Sequence, residues 1–193
     1  MIRHTLALVA AIAILGACGS DSDGSTPVAT EPPVTTPAAT DPPTGVDLPA
    51  DLTSAEVCAL VDVATVESAI GASDVEAVPG DFGTPQCSYN YQAADGTFTN
   101  MVTTVQRAEG DLGGRVGEAA FDYAVELNEM FAGDAEFVAV DGVGDQATFA
   151  AGQLALLIGQ VGPRVITVVG SALDQQGAAA IGAALAGAVA ALD

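Results

Sequence analysis

Residues 146–170, QATFAAGQLALLIGQVGPRVITVVG, decide the fold class. Three short apolar runs, Gln146–Ala150, Gln153–Gly159 and Arg164–Gly170, are punctuated by Ala151-Gly152 and by Gly162-Pro163. Runs of this length, bounded by Gly and Pro, predict strands joined by tight turns, and so an antiparallel meander. Glu136–Val140 predicts one more strand, before the turn at Gly142. Upstream, Cys87–Gln92 and Asn100–Gln106 predict a further pair, turned at Ala94-Asp95-Gly96-Thr97 into a hairpin.

Helical patterns flank these strands. Thr53 followed three residues later by Glu56 has the form of a capping box, and Val57, Leu60 and Val61 occupy the turns after it. A second start at Asp62–Thr65 runs through Val66, Glu67 and Ile70 to a stop at Gly71. The acidic stretch Ala72–Pro85 is expected to be a loop, with Pro79-Gly80-Asp81 as its turn. Gly117–Phe131 predicts a helix that turns Phe121, Ala124 or Val125, and Met130 inward. The tail Gly177–Asp193 predicts a last helix whose apolar stripe is Ile181, Leu185, Val189 and Leu192. Its small residues Gly182 and Ala186 suit close packing on a sheet. They also have the spacing of membrane helix dimers, but the run is short and rich in Ala and Gly. The expected class is α+β, an antiparallel sheet packed against helices, over residues 51–193.

Residues before position 51 have a different texture. Arg3 and His4 precede the apolar run Thr5–Leu15. That run is too short for a bilayer span, which needs about 20 residues, and it matches a secretory signal. Leu15-Gly16-Ala17-Cys18 resembles the bacterial lipobox. The resemblance implies removal of residues 1–17 as a signal peptide and a diacylglyceryl thioether on Cys18. Two or three acyl chains hold a protein stably on a membrane, whereas one does not. Ser20–Pro49 contains seven of the ten prolines, among Thr, Ala, Asp and Gly. With so little apolar surface it is expected to be a disordered, extended tether over residues 18–50, reaching at most about 90 Å.

Charge excludes several partners. The chain has 193 residues, 25 Asp and Glu against 4 arginines and no lysine, and a net charge of -21. So few cations cannot neutralise a phosphate backbone, so no nucleic-acid partner is expected. Polybasic lipid binding is excluded on the same ground, and membrane contact is expected through the N-terminal lipid alone.

Chemistry is excluded in the same way. The one histidine lies in the leader, so Ser-His-Asp and Cys-His catalysis have no base in the processed chain. No phosphate-binding loop, dinucleotide fingerprint or nucleophile elbow is present, and no cofactor is expected. Asp141-Gly142-Val143-Gly144-Asp145 departs from a calcium loop, so no metal site is expected. With Cys18 assigned to lipid, Cys58 and Cys87 are expected to form a structural disulfide in an exported chain. Two free thiols or a redox pair are the alternatives, against which stand the absent C-x-x-C spacing and the lack of a neighbouring cation. Arg107, Arg115 and Arg164 are candidates for an anionic ligand recess. Equally, each could pair with neighbours such as Glu109, Asp111 or Glu118.

Val57-Cys58-Ala59-Leu60-Val61, Ala69-Ile70-Gly71, Cys87-Ser88-Tyr89 and Val140–Ala147 (VDGVGDQA) occur in the order found in a group of actinobacterial lipoproteins. From Leu52 to Asp193 the chain resembles that group, a domain of unknown function (DUF3558). The resemblance implies an α+β envelope domain on a lipid anchor, with a cysteine of the first helix bonded to one opening a strand. It assigns no activity. Cys87-Ser88-Tyr89 departs from the family's usual C-x-W. The expected function is that of a monomeric, non-catalytic binding or accessory module on the extracytoplasmic face of the cell membrane, its partner an envelope protein or an apolar small molecule. The alternatives are a carrier of a lipid or apolar small molecule, held between the sheet and the C-terminal helix, and a secreted hydrolase using paired carboxylates.

Overall fold

The computed structural model describes residues 49–93 and 95–192. Its elements, in chain order, are α1 (Ser54–Ala59), α2 (Val63–Ile70), β1 (Glu76–Asp81), β2 (Pro85–Gln92), β3 (Phe98–Val105), α3 (Gly117–Ala132), β4 (Val138–Ala139), β5 (Gln146–Ala151), β6 (Ala155–Val161), β7 (Arg164–Gly170) and α4 (Gln175–Ala190). The strands form one seven-stranded antiparallel sheet in the order β1-β2-β3-β7-β6-β5-β4. The class is α+β, as the sequence predicts. Two meanders, β1–β3 and β5–β7, meet where β3 pairs with β7. At that seam the Thr104 and Thr167 hydroxyls lie 2.8 Å apart in a hydrogen bond.

Local signals in the sequence start and stop the helices. The capping box is formed, with the Thr53 amide donating to Glu56 Oε2 at 2.8 Å and the Glu56 amide donating to Thr53 Oγ1 at 3.3 Å. Asp62 caps α2 by accepting from the Thr65 amide at 2.7 Å, and Gly71 ends it in the left-handed conformation. Asp174 caps α4 through the Gly177 amide, which starts that helix at Gln175 rather than at Gly177.

Because side chains alternate along a strand, the sheet has two distinct faces. On the first, Cys87, Tyr89, Tyr91, Met101 and Val105 from the first meander meet Phe149, Leu157, Ile166 and Val168 from the second. This layer packs beneath α1, α2 and α4. Tyr89 is fully buried, and its hydroxyl donates to the Val61 carbonyl at 3.0 Å, fixing β2 to the α1–α2 junction. On the second face, Leu156, Ile158 and Val165 pack with Leu112, Ala120 and Ala124 under α3.

α4 lies close to the sheet because it presents small residues. A Cβ on Gly182 would stand 3.0 Å from Leu157 Cδ2 and 3.2 Å from Val143 Cγ1. Val143, in the turn between β4 and β5, fills the space left by Gly182 and by Gly159. Its turn is closed by Asp145, whose amide donates to the Gln160 carbonyl at 2.8 Å and whose Oδ2 accepts from the Gly162 amide at 2.6 Å. Among the described residues no helix is long and apolar enough to cross a membrane.

Several expectations need correction. The expected loop at Ala72–Pro85 contains β1, and Pro79-Gly80-Asp81 continues that strand instead of turning it. β1 is an edge strand, where a residue without an N–H is tolerated. Met130 is 79% exposed rather than inward, and Leu192 lies beyond the end of α4 and is exposed. β4 shrinks to two residues, and β6 begins two residues later than expected.

Cys58 and Cys87 are joined, with a Cα–Cα distance of 4.8 Å, fastening α1 to β2 across 29 residues. Replacing both by Ala should cost about 3–4 kcal/mol on the chain-entropy model. That corresponds to a fall in Tm on the order of 10 °C, measured by thermal unfolding with and without reductant. An unchanged Tm contradicts this account. Gly144→Ala should cost at least about 2 kcal/mol. Its φ is +59°, and a Cβ there would stand 2.1 Å from the Gln160 carbonyl oxygen. Gly142→Ala, also at positive φ but in open space, should cost less. Equal losses at the two positions would mean that the clash contributes nothing.

Candidate binding surface

Two faces across two meanders make four half-faces, and the helices cover three of them. α1 covers the first face at β1–β3, α4 covers that face at β5–β7 with α2 packed against it, and α3 covers the second face at β6 and β7. The second face of β1–β3 has no helix over it. The register places Glu76, Val78 and Gly80 of β1 there, with Gln86, Ser88, Asn90 and Gln92 of β2 and Phe98, Asn100, Val102 and Thr104 of β3. Asn90, Asn100 and Val78 are exposed, and Gln86, Ser88, Val102 and Thr104 are half-buried. Glu76 is the only charged residue on these rungs.

An exposed aromatic ring stands at each end. Phe82 is 86% and Phe98 84% exposed, more than any other large apolar residue described. Phe98 is on the second face by register, opposite Gln92. The Phe82 ring is on the same face, because its Cε2 lies 3.6 Å from where a Gly80 Cβ would point. From the Gln86 rung to the Gln92 rung is six residues, or about 20 Å of strand. The Phe98 end opens into a depression of about 370 Å³, lined by Glu76, Asn90, Gln92 and Phe98 together with Asp74 and Tyr91. Asp74 is in the left-handed conformation at φ 58°, the one non-glycine residue at positive φ among those described. The Tyr91 hydroxyl is buried with no hydrogen-bond partner among the described residues, and burial pushes its pKa up.

Both rings are held by built turns. Arg107 Nη2 donates to the Gly83 carbonyl in the turn that carries Phe82. Thr84 Oγ1 donates to Asp111 Oδ1 at 2.8 Å, and Asp111 also accepts from the Arg107 amide at 2.7 Å. At the other end the Thr97 amide donates to Asp95 Oδ1 at 2.9 Å, and Gln92 Nε2 donates to the Gly96 carbonyl at 3.0 Å. These bonds fix the backbone on which Phe98 stands. They also hold the Asp95 carboxyl below its ordinary value, through the backbone and then the side chain of Thr97.

The residues singled out from the sequence have separate places. Cys18 and the leader and tether features lie outside the described residues. Cys58 and Cys87 form the disulfide. Arg107 clamps the Phe82 turn and pairs with Asp111 at 3.5 Å. Arg115 lies over the Tyr123 ring at 3.9 Å and donates to the Leu112 carbonyl at 3.1 Å. Arg164, almost fully buried, donates to the Ala50 carbonyl at 2.9 Å, where the expected tether joins the domain. The three guanidinium groups therefore engage different partners instead of sharing one recess.

No Asp or Glu is buried among the described residues, and no group of three or more His, Cys, Asp or Glu is placed to hold a metal ion. The other carboxyl whose pKa is displaced, Glu56, is lowered by its bonds to Thr53 in the capping box. A second apolar feature lies at the end of α3, where Met130 and Phe131 flank a depression of about 500 Å³ beside the β5–β6 turn. No family model, curated protein or solved structure matches this chain.

The lowered Asp95 carboxyl gives the hairpin a pH dependence. A folded pKa below the unfolded one contributes stability above the ordinary value of 3.8, lost as pH falls through the lower folded value. Asp95→Ala should lower Tm at neutral pH, and the gap from the parent should narrow below pH 3.8. A gap independent of pH in thermal melts would remove this role.

Proposed function

We propose that the chain is a lipid-anchored protein of the cell envelope whose α+β domain is a non-catalytic binding module, and that the uncovered face of β1–β3 is its binding surface. The observation that carries this reading is the pair of exposed rings, Phe82 and Phe98, on one face. Exposed aromatics held on well-bonded turns favour recognition, because rings left in water lend nothing to the core and keep their apolar area for a partner to bury.

Packing favours surface binding over carriage of an apolar molecule between sheet and helix. Ile181, Leu185 and Val189 are fully buried there, and Gly182 has no room for a methyl group without movement of Leu157. A depression of about 590 Å³ opens between α2 and α4 and is lined in part by Asp62, Thr65, Ser68 and Gln176. Membrane attachment rests on Leu15–Cys18, and the tether supplies reach. Arg164 at Ala50 gives the domain a fixed point from which the tether departs.

The anchor is tested by labelling with a fatty-acid analogue, which the parent full chain should take up and the Cys18→Ala chain should not. Equal labelling of the two would remove the anchor. Binding is tested by cosedimentation of the chain of residues 19–193, without leader or lipid, with purified cell envelopes. Phe82→Ala with Phe98→Ala should lower the apparent affinity by about tenfold or more, equivalent to at least about 1.4 kcal/mol. Their Tm should stay within about 2 °C of the parent, since neither ring is buried. Undiminished cosedimentation would show that this face is not the binding surface.

A further inference from the structure

We infer that the ligand of this face is a neutral polysaccharide chain lying across β1–β3 between Phe82 and Phe98. The inference rests on the proposal that the face binds, and adds what it binds. Charge is the first argument. The folded domain carries 20 acids and 3 arginines over residues 51–193, yet Glu76 alone is charged on the rungs of this face. A basic protein partner would be drawn to the acidic surfaces elsewhere, such as the Glu118, Asp122, Glu126 and Glu129 side of α3. An anionic polymer or lipid surface would be repelled. An uncharged ligand incurs neither effect.

Side-chain chemistry is the second. Gln86, Ser88, Asn90 and Asn100 point onto the face, and their side-chain amides and hydroxyl make no hydrogen bond within the described residues. Amides that both donate and accept match sugar hydroxyls, which do the same. The two rings supply flat apolar platforms for the C–H faces of sugar rings. Their separation of about 20 Å suits a chain of several sugars rather than one. The depression at the Phe98 end, where Glu76 stands beside Asn90 and Gln92, gives one sugar a deeper seat and a carboxylate acceptor.

Geometry assigns Arg107 a positioning role. It acts through the Gly83 carbonyl, holding the turn that presents Phe82.

The test uses the chain of residues 19–193, without leader or lipid, and a panel of linear neutral hexasaccharides: a β-glucan, a galactan, an arabinan and a mannan. At least one should bind by calorimetry, with an affinity unchanged between low salt and about 0.5 M salt. Phe82→Ala and Phe98→Ala should each weaken it by about tenfold, and Asn90→Ala should weaken it by less. Arg107→Ala should weaken it through the Phe82 turn, and Arg107→Lys should restore part of the loss. No binding by any member of the panel overturns the inference, as does binding that falls with salt or ignores both Phe variants. Cosedimentation with envelopes that depends on Phe82 and Phe98 but is not competed by any hexasaccharide would retain the binding surface and reject the glycan. Loss of that cosedimentation on deleting residues 19–48, with Phe82 and Phe98 intact, would place the tether itself in the binding and also reject it.

Discussion

The pairing of β3 with β7 is the contact on which the rest of the structure depends. It joins two meanders far apart in sequence into one sheet, aligning Val102 with Val169 and Thr104 with Thr167. Once they are fused, the sheet has two wide faces, each of which needs cover wherever its side chains are apolar. α1 and α2 lie ahead of the first meander and α3 ahead of the second, an order that suggests two equivalent halves. The halves are not equivalent, because α1 and α3 settle on opposite faces. α4 then completes the face that α1 begins. The uncovered half-face follows from this arrangement, and its polar rungs are what allow it to remain open.

The acidic surface sets a second constraint. With 20 acids against 3 arginines in the folded part, self-repulsion opposes compaction. Two features offset it. The Cys58–Cys87 link limits the unfolded chain and ties α1 to the strand that Tyr89 also fastens. Close packing of α4 through Gly182, against Leu157 and Val143, adds dispersion contacts that a larger residue would disturb. The VDGVGDQA turn is thereby explained without a ligand. Gly144 admits the Gln160 carbonyl, Val143 enters the core, and Asp145 closes the neighbouring β6–β7 turn.

Much of this was legible in the sequence where local chemistry determines structure. The Thr53–Glu56 capping box, the Asp62 start, the Gly71 stop and the strands around Gly162-Pro163 all rest on interactions within a few residues. The pairing of the two cysteines followed from their number and setting. β1 was not legible, because EAVPGD becomes a strand only by pairing with β2, which no local signal reports. Met130 was misplaced because it stands nine residues from Phe121, about two and a half turns, which puts it on the side of α3 away from the buried Ala120 and Ala124. The candidate surface left half a trace. Cys87-Ser88-Tyr89-Asn90-Tyr91-Gln92 alternates apolar with polar, the mark of a strand with one wet face. Which strands share that face, and that Phe82 and Phe98 both stand on it, depends on register across the sheet.

Charge and topology together narrow what such a domain can recognise. Acidic residues crowd the outer side of α3 and the turns at Asp81, Asp95, Asp141 and Asp174, so most directions of approach repel anions. Long-range attraction is then available only to cations, and it would act on the whole surface without choosing a site. Selectivity needs a place where short-range contacts decide, and the uncovered face of β1–β3 is nearly uncharged and marked by two rings on fixed turns. A helix there would have buried Val78 and Val102 and gained stability. In its absence Ser88, Asn90 and Asn100 can exchange hydrogen bonds with whatever replaces water, and the domain gives up some core for a surface on which contact, rather than charge, sets the preference.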